Sequence, residues 1–217
     1  MKNDRVLVFV NKKSYDSLCS AVLLTFAYKD LKIRSVDKID YDETLEKTAY
    51  HLGFNSEKEN IDFVCVGINF DDRTAETIDM QIGPRTAIFD NKIFNNINRT
   101  KYPWVHLGEF YADGTYDSNT KVVYDYLTSR GLLKSRIPAL ESFVKQVDDE
   151  VRFKNTGTAI HIEDLYNGMN NSNEFYKLLY RRLKFNIIRG ERFKLNKDDE
   201  LLIDEEARLL REYSKNF

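Results

Sequence analysis

The chain has 217 residues, of which 42% are hydrophobic and 31% are charged, and its formal net charge is −2 at pH 7. This length and composition suit one large domain with enough apolar material for a hydrophobic core. The nearly balanced charge excludes a global electrostatic field that would recruit nucleic acid or an anionic membrane. No apolar run approaches the ~20 residues that a membrane-spanning helix needs.

Cysteine usage and the first residues of the chain bear on its compartment. The two cysteines, Cys19 and Cys65, both lie inside apolar runs, which is typical of buried free thiols in a reducing environment. The residues after Met1 are polar and lead directly into a β-branched run, which is not the pattern of a signal peptide. The sequence therefore predicts a cytoplasmic protein that does not associate with membranes.

The first half of the chain alternates between apolar runs and helical patterns. The run from Arg5 to Val10 predicts a strand buried on both faces, and the next segment predicts a helix that Ser14 or Asp16 can cap. Further strands are predicted at 32–36, 61–67, 85–89 and 104–107, and helices at 41–52 and 73–80. Strands that alternate with helices indicate an α/β fold, with a mainly parallel sheet of about five strands flanked by helices.

The second half of the chain is predicted to be helical. Helices are expected at 119–130, 139–151, 160–167, 173–183 and 200–213. The segment from Ser135 to Pro138 is the best candidate for a boundary, because the residue before a proline disfavours helix. We therefore predict an α/β core over residues 1–135 and a helical C-terminal part of the same domain over residues 136–217.

Polar residues follow several of the predicted strands. Because ligands of open parallel sheets bind at the carboxyl ends of the strands, these residues are the candidates for chemistry. They are Lys12, Ser14 and Asp16 after the first strand, Gly67 after the third, and Asp90, Asn91 and Lys92 after the fourth.

In this arrangement the sequence resembles the DHH phosphoesterases, and most closely their bacterial oligoribonucleases (nano-RNases). Those enzymes carry His-x-Asp-x-Asp-Gly after the first strand, an aspartate after a middle strand, Asp-His-His after the next and a further aspartate on a later helix. The segment Tyr111 to Ser118, the apolar helix after it and Arg130 to Leu133 add to the likeness. The resemblance covers residues 5–183 and implies a DHH-like fold, two manganese ions and phosphodiester hydrolysis.

The resemblance places most of the expected metal ligands on other residue types. The first motif falls on Lys12, Ser14, Asp16 and Ser17, and the middle aspartate on Gly67, or on Asn69 in a shifted register. Asp-His-His falls on Asp90, Asn91 and Lys92, and the last aspartate on Val151, beside Asp148, Asp149 and Glu150. The family also has a separate C-terminal substrate domain with a glycine-rich motif, which we do not expect here because the nine glycines are scattered.

Two aspartates, Asp16 and Asp90, are retained at the expected metal site. Two hard cations need several carboxylates or imidazoles to offset their repulsion, and Lys12 and Lys92 add opposing positive charge. We therefore expect no resident cofactor, and we hypothesise that a lysine holds the retained carboxylates instead. If a metal does bind, its expected ligands are Asp16, Asp90 and Asp149. Apart from the resemblance, Asp16 also fits a helix cap and Asp90 a turn residue.

The segment 177–197 mixes basic residues with aromatic and aliphatic ones, a combination that can bind nucleic acid. The candidate residues are Arg181, Arg182, Lys184, Arg189 and Arg192. The alternative interpretation is a solvated helix followed by a hairpin-like strand. The amphipathic last helix is expected to pack back on the domain.

Three functions are consistent with the sequence. The first is a catalytically silent DHH-like protein that binds another protein, as a regulatory or virus-encoded factor, because the apolar strands are intact while the ligand positions have changed together. The second is an active Mn²⁺-dependent phosphodiesterase with a remodelled site built from Asp16, Asp90 and one acid of 148–150. The third is a nucleic-acid-binding protein without catalysis. We rank them in this order.

Overall fold

A sheet of five strands forms the centre of the protein, and all of its neighbouring strands are parallel. The computed structural model describes residues 5–55, 60–91, 101–133, 137–153 and 173–213. The strands are β1 (Arg5–Asn11), β2 (Asp30–Val36), β3 (Asp62–Val66), β4 (Thr86–Asp90) and β5 (Val105–Leu107). Their order in the sheet is β2-β1-β3-β4-β5, so the predicted parallel α/β architecture is confirmed.

Seven α-helices lie within the described ranges, and the last three form the helical C-terminal part that the sequence predicts. They are α1 (Tyr15–Ala27), α2 (Tyr41–Phe54), α3 (Asp72–Ile82), α4 (Asn119–Ser129), α5 (Pro138–Phe153), α6 (Asn173–Arg189) and α7 (Lys197–Tyr213). Short 3₁₀ helices span Lys38–Asp40 and Gly83–Arg85. The helix predicted at 160–167 lies outside the described residues.

The sheet has a hydrophobic core on each face, which explains why its central strands are apolar without interruption. Successive strand residues point to opposite faces. Val64 and Val66 therefore join a core built with α1, α4, α5 and α6, whereas Phe63 and Cys65 join a second core built with α2 and α3. Burying one side chain as large as Phe63 contributes roughly 1.5–3 kcal/mol, so the two-sided burial of β3 is a major source of stability.

The strand order places a topological switch point between β1 and β3. The chain runs from β1 to β2 on one side and returns to β3 on the other. The connections on either side of such a point leave in opposite directions, and in open parallel sheets ligands bind there, at the carboxyl ends of the strands. The start of α1 and Gly67 both lie at this point, because they directly follow β1 and β3.

The two cysteines are buried free thiols, as the sequence predicts. Burial raises the pKa of both Cys19 and Cys65 well above the ordinary thiol value, which makes them poor nucleophiles. Among the described helices, none combines the length and apolar character needed to cross a bilayer.

The interpretation that a hairpin-like strand follows the basic helix is wrong. Helix α6 continues through Arg189, and residues 191–196 form neither helix nor strand. The reason is that Leu179, Leu183 and Ile187 recur every four residues and all three are buried in the core beside α1. This helical stripe extends past the point at which the sequence analysis ended the helix.

The start of α7 is fastened to α6 by a bidentate ion pair. Arg182 donates from Nη1 and Nη2 to the two carboxylate oxygens of Asp199, at 3.0 and 2.9 Å. The backbone amide of Asn196 also donates to Asp199, and the side chain of Asn196 accepts from the amide of Asp199. Leu202 and Ile203 then pack against the same core, so the prediction that the last helix packs back on the domain is confirmed there.

We expect Asp199→Ala to lower the free energy of unfolding by about 1–3 kcal/mol, because Arg182 and the amide of Asn196 lose a partly buried partner. Urea unfolding measures this loss. The matched control is Asp198→Ala, since Asp198 is the exposed neighbour in the same helical turn, and it should change stability by no more than about 0.5 kcal/mol. Equal losses for the two variants would contradict a specific stabilising role of the Asp199 contacts.

Candidate functional site

The carboxyl edge of the sheet brings together the residues at which the resemblance expects metal ligands. β1 leads into the start of α1, β3 ends just before Gly67, and β4 ends at Asp90. The amide of Gly67 donates to the carbonyl of Phe89 at 2.9 Å, so Gly67 and Asp90 lie on adjacent strands at the same edge. These positions therefore lie at the carboxyl edge of the sheet. What they can do chemically depends on the hydrogen-bond partners of each side chain.

Asp16 binds the N-terminus of a distant helix. Its carboxylate accepts from the backbone amides of Asn119 and Thr120, at 2.7 and 2.9 Å, and from the hydroxyl of Thr120 at 2.7 Å. These amides belong to the first turn of α4, where backbone donors have no partner within the helix and favour a negative charge. Its own helix α1 is capped by Ser14, which accepts from the amide of Ser17 at 3.1 Å.

The environment of Asp16 acts on its pKa in opposing directions. Burial raises the pKa, the hydrogen bonds from Thr120 and Asn119 lower it, and the nearby carboxylate of Asp148 raises it again, with a net upward shift. The folded state therefore holds the proton of Asp16 more tightly than the unfolded state does. The contribution of Asp16 to stability consequently falls as the pH rises through this raised pKa.

Asp148 of α5 caps the same helix from a second side. Its carboxylate accepts from the amide of Ser118 at 2.7 Å, and the guanidinium of Arg152 lies 3.7 Å away. Three successive amides at the start of α4 thus bind two carboxylates. Asp149, which we named as the third candidate metal ligand, is exposed and lines a groove between α5 and α6. Asp148 is therefore the acid of this helix that acts on Asp16.

Gly67 occupies a position where a side chain does not fit. Its φ is 61°, a left-handed conformation that favours glycine. A Cβ atom built there would lie 2.2 Å from Oγ of Ser17 and 3.0 Å from Nδ2 of Asn119. A side chain at this position would require Ser17 and Asn119 to shift and would add the strain of a left-handed backbone conformation.

The lysine at the end of β1 is paired elsewhere. Nζ of Lys12 donates to Oδ2 of Asp37 at 2.9 Å, at the outer end of β2. Lys12 therefore does not hold the carboxylate of Asp16, because α4 engages that carboxylate and Asp37 engages Lys12. The hypothesis that a lysine holds the two carboxylates stays a prediction for Lys92, which lies outside the described residues. Asp90 is buried, and its carbonyl accepts from the amide of Gly108 at 3.0 Å.

The remaining positions of the expected metal site contribute little. Asn91 is half-buried directly after β4, and Lys92 lies outside the described residues. Val151 is an apolar residue packed against the core. Within the described ranges, no three His, Cys, Asp or Glu side chains are grouped so that they could hold a metal ion.

The basic candidates on α6 and after it divide into engaged and exposed residues. Arg182 pairs with Asp199, and the guanidinium of Arg192 lies 3.9 Å from Glu150. Nζ of Lys184 lies 5.9 Å from the ring of Phe26. Arg181 and Arg189 are exposed, and Arg189 stacks on Phe185 at 4.1 Å. Arg181, Arg189 and Arg192 are thus the exposed members of the set, whereas Arg182 is held by Asp199.

The loop between β5 and α4 holds interactions that sequence reasoning did not assign. The hydroxyl of Tyr111 donates to Asp117 at 2.6 Å, and the guanidinium of Arg152 stacks on the Tyr111 ring at 3.9 Å. Burial opposes ionisation of Asp117, but the bonds from Tyr111 and the Glu109 amide outweigh it, so the pKa of Asp117 is lowered. The sequence does contain a signal for a helix start here, because Asp117 and Ser118 precede the helix and both residue types commonly cap helices.

The fold and this edge define an α/β protein with a doubly wound, all-parallel sheet and an acid-capped helix at its switch point. No family model and no curated protein matches the chain. A solved structure titled as an uncharacterized protein from Helicobacter pylori G27 is similar, with a TM-score of 0.60 and 12% identity over 94% of this chain. This chain spans 61% of that protein. The likeness extends to the fold alone.

We expect Asp16→Asn to lower the free energy of unfolding by about 1–3 kcal/mol, because the new amide group would direct donors at the donors of α4. Chemical unfolding monitored by circular dichroism measures this loss. The control is Asp30→Asn, since Asp30 is half-exposed and pairs with the equally exposed Arg5, and that change should cost at most about 0.5 kcal/mol. A negligible effect at Asp16 would show that the cap is dispensable.

We expect Gly67→Ala to destabilise the protein by about 2 kcal/mol, because conformational strain adds to the collision with Ser17. Gly114→Ala is the matched control. Gly114 also has a positive φ, of 82°, but no atom lies within 4 Å of its built Cβ. Thermal or urea unfolding should show that the control lowers the free energy of unfolding by about 1 kcal/mol, which is the approximate cost of the backbone conformation alone. Equal costs would mean that packing at Gly67 is not limiting.

Proposed function

We propose that this chain is a catalytically silent relative of the DHH phosphoesterases that acts by binding another protein, as a regulatory or virus-encoded factor. The observation that supports the loss of catalysis best is the position of Asp16. Both of its carboxylate oxygens accept hydrogen bonds from the first turn of α4, at 2.7 and 2.9 Å. A carboxylate so engaged would have to break these bonds before it could bind a cation.

The position of Gly67 supports the same conclusion independently. In the unshifted register the resemblance places a carboxylate at Gly67, but Ser17 and Asn119 occupy the volume that its Cβ would need. Two-metal catalysis depends on ligands that hold both cations a few ångströms apart. With Gly67 lacking a side chain and Asp16 serving as a helix cap, this edge of the sheet has become a structural joint between α1, α4 and α5.

The alternative of an active enzyme with a remodelled metal site is less well supported. It would recruit Asp16, Asp90 and one acid of α5. Of those acids, Asp148 is bonded to the amide of Ser118 and Asp149 faces a groove of about 390 Å³ between α5 and α6. Each hydrogen bond to a carboxylate that is given up costs roughly 1.5–3 kcal/mol, so the rearrangement would oppose metal binding.

A protein partner is favoured by apolar side chains on the surface formed by α2 and α3. Phe54 at the end of α2 is 91% exposed and Met80 of α3 is 73% exposed. A Cβ at Gly53 would touch the side chain of Gln81, so the two helices approach closely at the residues next to Phe54 and Met80. Exposed apolar side chains on two helices in contact favour binding to another apolar surface.

Calorimetric titration with Mn²⁺ tests the loss of the metal centre. We expect no saturable heat at micromolar metal for the wild type, and the same trace for Asp90→Asn. A nuclease assay on short oligoribonucleotides with Mn²⁺ should likewise show no turnover. Micromolar binding together with turnover that Asp90→Asn abolishes would overturn the proposal in favour of an enzyme.

Affinity capture from the native host tests the binding role. We expect a stoichiometric protein partner that survives gel filtration with the wild type. Its retention should fall at least tenfold for Phe54→Ser with Met80→Ser. Ile39→Ser is the matched control, because Ile39 is equally exposed, at 91%, but belongs to the 3₁₀ helix before α2. Failure to retain any partner would contradict this role.

A further inference from the structure

Helix α6 presents an exposed apolar stripe with basic residues beside it. Phe185 and Ile188 are 50% and 64% exposed, and Leu178 lies on the same face about two turns before Phe185. Arg181 and Arg189 are exposed four residues before and after Phe185. The opposite face of α6 is already buried in the core, so this stripe is available for a separate contact.

Helix α7 presents a complementary face with the opposite charge. Leu201 is 66% exposed, and the exposed Asp198 and Asp204 lie three residues before and after it. Over its whole length α7 contains seven acidic and three basic residues, whereas α6 contains five basic residues and one acidic residue. On α6, three exposed apolar side chains thus lie beside basic residues, and on α7 the exposed Leu201 lies between acidic ones. The charges of one helix are opposite to those of the other.

The chain itself already contains one contact of this kind. The pair between Arg182 and Asp199 joins the start of α7 to α6, and the partners are only 17 positions apart in the chain. That contact uses the half-buried side of each helix and leaves Phe185, Ile188 and Leu201 exposed. The first, acidic turn of α7 thus binds a basic residue of α6. Further acidic residues of α7 and basic residues of α6 are exposed and could form ion pairs of the same kind.

We propose that these faces bind a second copy of the chain, with α6 of each protomer against α7 of the other. A two-fold axis repeats the contact, so that four helices meet and the exposed Leu178, Phe185, Ile188 and Leu201 are covered. Arg181 and Arg189 then lie opposite Asp198 and Asp204 of the partner copy. Apolar contact provides most of the stability, and the charged borders set the pairing.

Nucleic acid is a less suitable occupant of the α6 face. Arg182 is committed to Asp199, Arg192 lies beside Glu150, and large aliphatic side chains occupy the centre of the stripe. A phosphate backbone would leave Leu178 and Ile188 without apolar partners. The acidic face of α7 also lies next to this surface and would repel a polyanion.

Sedimentation velocity on the full chain tests the proposal with reciprocal charge reversals. We expect the wild type to have twice the 25.5 kDa chain mass. Arg181→Glu with Arg189→Glu, and separately Asp198→Arg with Asp204→Arg, should each be monomeric, with dissociation constants raised about 100-fold or more. An equimolar mixture of the two variants should regain the dimer, because each reversed face then meets an oppositely charged one.

The matched control is Lys38→Glu with Lys47→Glu, which makes the same charge change at exposed positions just before and within α2, on the face of the sheet opposite to α6, and should remain dimeric. Circular dichroism confirms that all variants are folded. A monomeric wild type, a dimeric α6 variant or a mixture that stays monomeric would overturn the proposal. So would salt-dependent oligonucleotide binding by a monomer that the α6 variant loses.

This proposal is independent of the proposed function. It concerns the α6 and α7 faces, whereas the functional argument rests on Asp16, Gly67 and the surface formed by α2 and α3. Metal binding or oligoribonuclease turnover would leave the sedimentation result unaffected, and a monomeric chain would leave the loss of the metal centre unaffected. Each proposal can therefore be refuted without refuting the other.

Discussion

The bond between Asp16 and the first turn of α4 is the constraint on which the arrangement of the edge depends. It joins two helices whose bonded residues are 103 and 104 positions apart in the chain. Asp148 completes the cap from α5, so three helices meet at one set of backbone amides. Because a buried carboxylate is costly without donors, this joint holds α1, α4 and α5 in a fixed relation.

The same joint explains how a sheet edge suited to ligands has a structural role here. At the carboxyl ends of parallel strands, buried acids need positive partners, which can be a cation, a basic side chain or a helix N-terminus. In this protein the partner of Asp16 is a helix N-terminus, and Lys12 pairs with Asp37. Gly67 fits the joint because Ser17 and Asn119 close around its backbone.

Much of the fold could be predicted from the sequence, because strand and helix patterns are local. The continuous apolar run of β1 correctly indicated a strand buried on both faces, and the runs of β3 and β4 correctly indicated strands. The errors arose where basic residues hid a helical stripe, as in α6 with Leu183 and Ile187. The sequence also indicated that Asp16 and Asp90 lie at one edge, but it identified Asp149 where the structure brings Asp148 to Asp16.

The sequence by itself determined the parallel sheet, the helical C-terminal part and the apolar core, since each follows from residue periodicity over a few turns. Only the tertiary structure decided what the acids at the sheet edge do. The role of Asp16 depends on which donors come within hydrogen-bonding distance, and Asn119 and Thr120 reach it only through folding of the whole sheet. The same holds for Gly67, because its tolerance for a side chain depends on the distant Asn119.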